Sequence, residues 1–194
     1  NAAKPLIIIG KGAAYSQAEG QLKEFVEKTG IPFLPISMAK GVLPDDHPLC
    51  AASARSLVLG QADVVMLVGA RLNWLLNHGK GKKWNPKVKF IQLDICAEEM
   101  DSNREIEAPI VGDIASSLDL MLCKMEPFNI HCGEAWINSI HAVKQTNAEK
   151  MQKKLTTPTQ PMNYFNALKV VSDVLQDYKD IYLVNEGANA LDNT

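Results

Sequence analysis

The sequence lacks an uninterrupted apolar stretch near the roughly 20 residues that a membrane-spanning helix needs. Its N-terminus also lacks the basic, apolar and small-residue order of a secretory signal peptide. Positive charge is not in excess, since 20 basic and 22 acidic residues leave a formal net charge of −2 and an isoelectric point near 6.1. We therefore expect a cytoplasmic protein that has neither a membrane nor a nucleic acid as its partner.

Cysteine is scarce, and its spacing suggests neither disulfides nor zinc. The sequence has no CxxC pair and no HExxH motif, so we expect four reduced structural thiols at Cys50, Cys96, Cys123 and Cys132. Two of these cysteines could be combined with His131 and His141 as a metal set, but the intervals match no familiar zinc module. No metal site is predicted.

What the sequence does contain is a series of apolar, β-rich runs. They are continuous rather than alternating, which is typical of parallel strands covered by helices on both faces. The runs are residues 5–10, 31–36, 63–69, 88–95 and 108–114. With 46% hydrophobic residues in 194, the chain can bury a sizeable core. The pattern predicts an α/β fold, an open parallel sheet of Rossmann-like type with helices on both faces.

Helical periodicity lies between these runs. The segment SQAEGQLKEFVEKTG predicts one amphipathic helix that ends at Gly30 as its C-cap. Its apolar face comprises Ala18, Leu22, Phe25 and Val26. The segments SARSLVLGQA and IASSLDLMLCKM predict two further helices, with Asp113 at the N-cap of the latter.

The composition changes near residue 125, which indicates three parts. Residues 1–124 form the α/β domain in this interpretation. Residues 125–162 are a linker that carries a polar, Lys-rich helix and ends in the proline-containing TTPTQP. Residues 163–194 add one helix and one strand, which cannot bury a core alone, so we expect them to begin a second α/β domain.

The GKGAAY turn after the first run could bind a phosphate or could be only a tight turn. Gly10 and Gly12 would allow close backbone approach, and Lys11 adds a positive charge. The dinucleotide fingerprint is incomplete, because Tyr15 stands at its third glycine and no acidic residue follows the second run. NAD binding is therefore disfavoured, but the sequence does not decide whether the turn binds a phosphate or is only a tight turn.

Three other residues lie at strand ends, where ligands of open parallel sheets bind. Arg71 can donate to a phosphate or stack on a base, and Asp94 and Asp113 can accept hydrogen bonds from ribose or a base amine. Each residue also has an ordinary structural alternative: Arg71 could form a surface ion pair, Asp94 could form a turn, and Asp113 could be a helix N-cap. Together they favour a nucleotide site.

At this point the sequence resembles a known family. The blocks GKGAAY, FLPISMAKGVLPDDHP, ADVVMLVGARLNW, KFIQLDI and LVNEGANALDNT resemble the thiamin-diphosphate-dependent enzymes that act on acyl-CoA, namely the oxalyl-CoA decarboxylases and the related 2-hydroxyacyl-CoA lyases. DSNREIEAPIVGDI and NEGANALDN are more similar to the decarboxylase version. The resemblance implies a subunit of three domains, of which this chain is the central one, the linker and the start of the third.

The resemblance also implies an ADP site in the central domain. Lys11, Gly12 and Arg71 would meet the phosphates of ADP, a possible activator. The ribose and adenine would be bound by Asp94, Asp113 and Ile114.

Further residues are assigned by the resemblance alone. Gly187 and Asn189 would contact thiamin diphosphate. The substrate-binding candidates are Ala52, Ser56, Asn163 and Tyr164.

The activity that the resemblance implies is conversion of oxalyl-CoA to formyl-CoA and CO2, with thiamin diphosphate and Mg²⁺ as cofactors and the thiamin as electron sink. No catalytic residue and no Mg²⁺ ligand of that family falls within this chain, so we expect the 194 residues to be inactive alone. The full-length protein is expected to be a homo-oligomer, a dimer or a tetramer. The alternatives are a 2-hydroxyacyl-CoA lyase, a flavin-binding enzyme similar to acetohydroxyacid synthases, and a free-standing nucleotide-binding regulatory module.

Overall fold

The computed structural model describes residues 2–36, 38–128, 130–178 and 181. The chain forms two compact units, residues 1–144 and 145–194. The boundary between them falls inside the predicted linker of 125–162, so the predicted domain limits remain a prediction.

The first unit is built on a five-stranded sheet in which every pair of strands is parallel, in the order β2-β1-β3-β4-β5. The strands are β1 Pro5–Ile9, β2 Phe33–Pro35, β3 Val64–Val68, β4 Lys89–Asp94 and β5 Ala108–Val111. The predicted α/β parallel sheet is thereby confirmed. Strand order reverses between β1 and β3, and such a switch point opens a crevice at the carboxyl ends of these two strands.

Helices and short 3-10 turns lie between the strands, and three further helices among the described residues follow β5. The helices are α1 Lys11–Tyr15, α2 Glu19–Thr29, α3 Arg55–Gln61, α4 Ile114–Met125, α5 Glu134–Thr156 and α6 Tyr164–Leu175. The 3-10 turns cover Ala52–Ala54, Trp74–Gly79 and Ala97–Glu99. In the part of the chain that the structure describes, no helix combines the length and the apolar character needed to cross a bilayer.

The central strands have buried side chains on both faces of the sheet, which explains their continuous hydrophobicity. Leu6 and Ile8 of β1 pack in the cluster that includes α3, whereas Ile7 and Ile9 pack in the cluster that includes α2 and α4. All four are at most 1% exposed. The sheet is therefore covered on both faces, as the sequence pattern predicts.

The first helical segment differs from its prediction. The predicted segment, residues 16–30, contains α2, and a second short helix, α1, occupies the predicted GKGAAY turn before it. Gln17 adopts a left-handed φ of 52° and separates the two helices. The predicted apolar face is buried, and Gly30 ends α2 with φ 64°. The periodicity is right for α2, but the five residues of α1 are too few to show a helical pattern.

The start of α5 also packs more closely than the sequence indicates. Trp136 and Ile140, one helical turn apart, are buried in the core that contains Leu6. The Trp136 indole donates its N–H to the Pro5 carbonyl at 2.9 Å, which satisfies the polar atom of a buried aromatic ring. This stretch lies in the predicted linker of 125–162, whose helix is polar and Lys-rich along most of its length, so the burial of its first turns was not predicted.

Candidate functional site

A cavity of about 430 Å³ lies at the carboxyl ends of β1, β3 and β4 and extends to the start of α4. Its volume falls in the usual range of small-molecule sites, about 300–1,000 Å³. All six residues that the resemblance assigns to the ADP site line the cavity: Lys11, Gly12, Arg71, Asp94, Asp113 and Ile114. The fold thus brings together residues that lie up to 103 positions apart, from 11 to 114, in the chain.

Close packing of backbone explains the glycines of the GKGAAY turn. A Cβ on Gly10 would lie 2.3 Å from the Gly69 carbonyl oxygen, and one on Gly12 would lie 2.8 Å from the Gly69 Cα. The Gly12 N–H donates to Gly69 O at 3.0 Å, and the Ala13 N–H donates to Gly10 O at 3.1 Å. These two N–H groups already have acceptors within the fold. A phosphate at this turn would therefore be bound mainly by the Lys11 side chain rather than by a cradle of backbone N–H groups.

Arg71 follows β3 and lies between two carboxylates. Its Nε is 3.8 Å from Asp94 Oδ2, and its Nη1 is 3.0 Å from Glu99 Oε1. The Asp94 side chain is 7% exposed and that of Glu99 is 27% exposed. Asp94 Oδ1 also accepts from the Cys96 N–H at 3.0 Å. Arg71 is therefore positioned at the cavity, with part of its donor capacity already used.

Asp113 is the N-cap of α4, as its sequence position predicts. Its Oδ2 accepts from the Ser116 N–H at 2.9 Å, and its Oδ1 accepts from the Ser16 hydroxyl at 2.7 Å. These bonds stabilise the charged carboxylate, chiefly the bond from the Ser116 backbone and then that from Ser16, and hold the pKa of Asp113 below its ordinary value. Both oxygens keep acceptor capacity toward the cavity, because a carboxylate oxygen has two lone pairs.

Apolar side chains that the sequence analysis did not assign to the site also line the cavity. Tyr15, Met38 and Ile95 are 70%, 61% and 74% exposed, although large apolar side chains are usually buried. The position of Ile95 directly after the strand-end residue Asp94 was the one available sequence signal. An apolar lining beside two cations suits a ligand that has both a flat or aliphatic part and an anionic part.

The remaining candidate residues lie elsewhere. Ala52 and Ser56 are exposed on the 3-10 turn before α3 and on α3 itself, and neither lines the cavity. Asn163 caps α6 by accepting from the Asn166 N–H at 2.9 Å, and Tyr164 is the first residue of α6. Gly187 and Asn189 lie outside the described residues.

Neither a metal cluster nor a disulfide is found in the described part of the chain. No group of three or more His, Cys, Asp or Glu side chains within it could hold a metal ion. The four cysteines are free. The Cys96 thiol donates to Glu98 Oε2 at 3.1 Å, and this bond is the main cause that raises the pKa of Cys96.

Comparison with known proteins identifies the fold family. Residues 1–121 match the family model described as "Thiamine pyrophosphate enzyme, central domain". The chain belongs to this family. The matched range contains the whole sheet and every residue named above as lining the cavity.

Relatives of this central domain are found among two groups of enzymes. The chain is 62% identical to an oxalyl-CoA decarboxylase of Escherichia coli (strain K12), over 99% of this chain and 34% of the relative. It is 43% identical to a 2-hydroxyacyl-CoA lyase of Arabidopsis thaliana, over 98% of this chain and 34% of the relative. It is 40% identical to 2-hydroxyacyl-CoA lyase 1 of Homo sapiens, over 99% of this chain and 33% of the relative. The chain thus spans about a third of the length of these relatives.

Proposed function

We propose that this chain is the nucleotide-binding central part of a thiamin-diphosphate-dependent decarboxylase of oxalyl-CoA. Its cavity would hold ADP, or the ADP portion of coenzyme A. The observation that carries the proposal is the convergence of Lys11, Arg71 and Asp94 on one cavity at the topological switch point.

The cations of the cavity support binding of the diphosphate. Among the described residues Lys11 makes no ion pair, so its ammonium group is free to meet a phosphate oxygen. Arg71 can offer its planar fork of donors to the same diphosphate. Charge-assisted bonds of this kind contribute roughly 1.5–3 kcal/mol each.

The carboxylates and the apolar lining support binding of the nucleoside. Asp94 is fixed by burial and by its bond from Cys96, and it can accept from ribose hydroxyls through its remaining lone pairs. Tyr15, Met38 and Ile95 provide an apolar surface for adenine. Ile114 begins α4 beside this surface, and Asp113 is near enough to the cavity to accept from a base amine.

In the proposed enzyme this chain would bind the nucleotide and help to orient the substrate. Thiamin diphosphate supplies the electron sink for loss of CO2 when it is bound. The proposed contacts with that cofactor, Gly187 and Asn189, lie outside the described residues, as would the Mg²⁺ site. A homo-oligomeric state and a cytoplasmic location also remain predictions.

The second candidate is a 2-hydroxyacyl-CoA lyase, because relatives with that activity match almost the whole chain at 40–43% identity. The higher identity to the decarboxylase, 62% over a similar length, favours the first candidate. Assay of the full-length protein with oxalyl-CoA and with a 2-hydroxyacyl-CoA, each with thiamin diphosphate and Mg²⁺, separates the two. Faster turnover of the 2-hydroxyacyl-CoA would replace the first proposal with the second.

The nucleotide site itself can be tested on this chain by calorimetric titration with ADP, coenzyme A, NAD and thiamin diphosphate in parallel. We expect ADP and coenzyme A to bind and to compete with each other for one site. Absence of binding by both ligands would overturn the proposed nucleotide site and leave the chain an architectural role.

A further inference from the structure

We propose that Glu99 is an intramolecular competitor for the anion of the ligand: it occupies Arg71 in the free protein and is displaced when a phosphate binds. This inference rests on the proposed function, because it concerns how the same cavity selects its ligand. Glu99 does not itself line the cavity, and its position in the sequence gave no sign of a role there.

The two carboxylates beside Arg71 are held differently. Asp94 is buried, ends β4 and accepts a backbone hydrogen bond from Cys96, so it cannot move without disturbing the strand end. Glu99 lies on the three-residue 3-10 turn Ala97–Glu99, and its side chain is 27% exposed. Its carboxylate can therefore turn into water, while that of Asp94 stays in place.

The geometry makes Glu99 and a phosphate competitors for one terminal nitrogen of Arg71. Glu99 Oε1 lies 3.0 Å from Arg71 Nη1, whereas Asp94 Oδ2 lies 3.8 Å from Arg71 Nε. An Arg fork can bind a phosphate side-on, through Nε and one terminal nitrogen, or end-on, through both terminal nitrogens. The buried Asp94 carboxylate lies beside Nε and repels a phosphate there, which leaves the end-on approach, and Glu99 contacts one of the two nitrogens that this approach uses. Displacement of Glu99 also exposes its charge to water, which lowers the cost of separating the pair.

The effect of Glu99 on ligand affinity follows from the net charge around the cavity. The charged lining residues are Lys11, Arg71, Asp94 and Asp113, two of each sign, and Glu99 adds a further negative charge beside Arg71. Removal of Glu99 should leave the affinity for an uncharged nucleoside unchanged. It should raise the affinity for a polyphosphate, because Arg71 becomes free to bind the phosphate and a repulsive negative charge is lost. The structure assigns to Glu99 the role of penalising ligands in proportion to the negative charge that they bring to Arg71.

The test compares Glu99→Gln with Glu98→Gln by calorimetric titration of ADP and of adenosine. Both substitutions remove one negative charge from the same turn, but Glu98 contacts Cys96 rather than Arg71. We expect Glu99→Gln to bind ADP about three- to tenfold more tightly, in keeping with the strength of exposed ion pairs and of nearby like charges. Adenosine affinity should be unchanged in both variants. Glu98→Gln should gain less than about twofold for ADP, because solvent and salt screen a charge that does not contact Arg71.

A double-mutant cycle with Arg71→Ala shows whether the gain passes through Arg71. We expect most of the gain from Glu99→Gln to disappear in the Arg71→Ala background, where only the loss of a repulsive charge remains. An equal gain in both backgrounds, or an equal gain from Glu98→Gln, would overturn the competitor role in favour of general repulsion. Wild-type binding of ADP with no change in Glu99→Gln would overturn this inference and leave the proposed function standing, whereas failure of both proteins to bind ADP would overturn the two together.

Discussion

The Ser16 hydroxyl joins two elements of the cavity by two hydrogen bonds: it donates to Asp113 Oδ1 at 2.7 Å and accepts from the Ala115 N–H at 2.9 Å. Ser16 directly follows α1, and Asp113 caps α4, so one small side chain ties the glycine turn after β1 to the helix after β5. Ser16 and Asp113 also each accept a hydrogen bond from a backbone N–H in the first turn of α4, where N–H groups have no acceptor within the helix.

Replacement of Ser16 by Ala removes both bonds. We expect the melting temperature to fall by a few degrees and the pKa of Asp113 to rise, because one of the groups that stabilise its charged form is lost. Thermal unfolding and titration of the Asp113 carboxyl by NMR measure the two effects. An unchanged pKa in a folded variant would show that the Ser16 bond does not stabilise the carboxylate.

The lowered pKa of Asp113 also predicts a dependence of stability on pH. A carboxyl whose folded pKa lies below its ordinary value of 3.8 stabilises the fold above that value, and this contribution is lost as pH falls through the folded pKa. Asp113→Asn keeps an acceptor at the N-cap but cannot titrate. Urea unfolding from pH 7 to pH 3 should therefore show a smaller loss of stability in Asp113→Asn than in the wild type. Parallel curves for the two proteins would contradict the linkage.

The proposed diphosphate site predicts that Lys11→Ala and Arg71→Ala each weaken ADP binding about tenfold or more, since each removes a charge-assisted bond. Lys23→Ala is the matched control, because Lys23 is an exposed lysine on α2 that does not line the cavity. Arg71→Lys should recover only part of the affinity, because lysine lacks the planar fork. Wild-type affinity in Lys11→Ala and Arg71→Ala, measured by calorimetry, would argue against the site.

If Asp94 binds the ribose, its replacement should lower both the affinity for ADP and the preference for ADP over 2′-deoxy-ADP. Asp94→Asn can keep the bond from the Cys96 N–H, so we expect the fold to hold, while ADP binds more weakly for want of a charged acceptor. The wild type should prefer ADP to 2′-deoxy-ADP, and Asn at this position should reduce that preference. If the preference is the same in both proteins, Asp94 acts on the fold of the strand end and not on the ribose.

Close packing at Gly69 predicts a large effect on stability. Gly69 has φ 59°, and a Cβ there would lie 2.5 Å from the Ala13 nitrogen and 2.6 Å from the Gly12 Cα. We expect Gly69→Ala to lower the free energy of unfolding by about 2 kcal/mol or more, because the backbone conformation and the contact are both unsuited to a side chain. Gly20→Ala is the control, since Gly20 lies in α2 with open space around it, and there alanine should stabilise by about 0.5–1 kcal/mol.

The sequence by itself determined the features that local physical chemistry controls. Runs such as PLIIIG predict buried parallel strands because every side chain is apolar, whichever face it occupies. Gly30 and Asp113 predict a C-cap and an N-cap because φ and side-chain acceptors act within a few residues. The rule that ligands bind at the carboxyl ends of parallel strands then singled out Arg71 and Asp94 before their distance was known.

The tertiary structure alone decided what depends on contacts between distant parts of the chain. The order of the strands places the turns at Gly12 and Gly69 against each other, and only this contact shows that the glycines serve backbone packing. The pairing of Arg71 with Glu99, 28 positions away (99 − 71), and the burial of Trp136 beside β1 follow from the same packing. A local pattern reports dihedral preference and burial, whereas a long-range contact depends on how all the elements fill one core, and for that the sequence pattern carries no local signal.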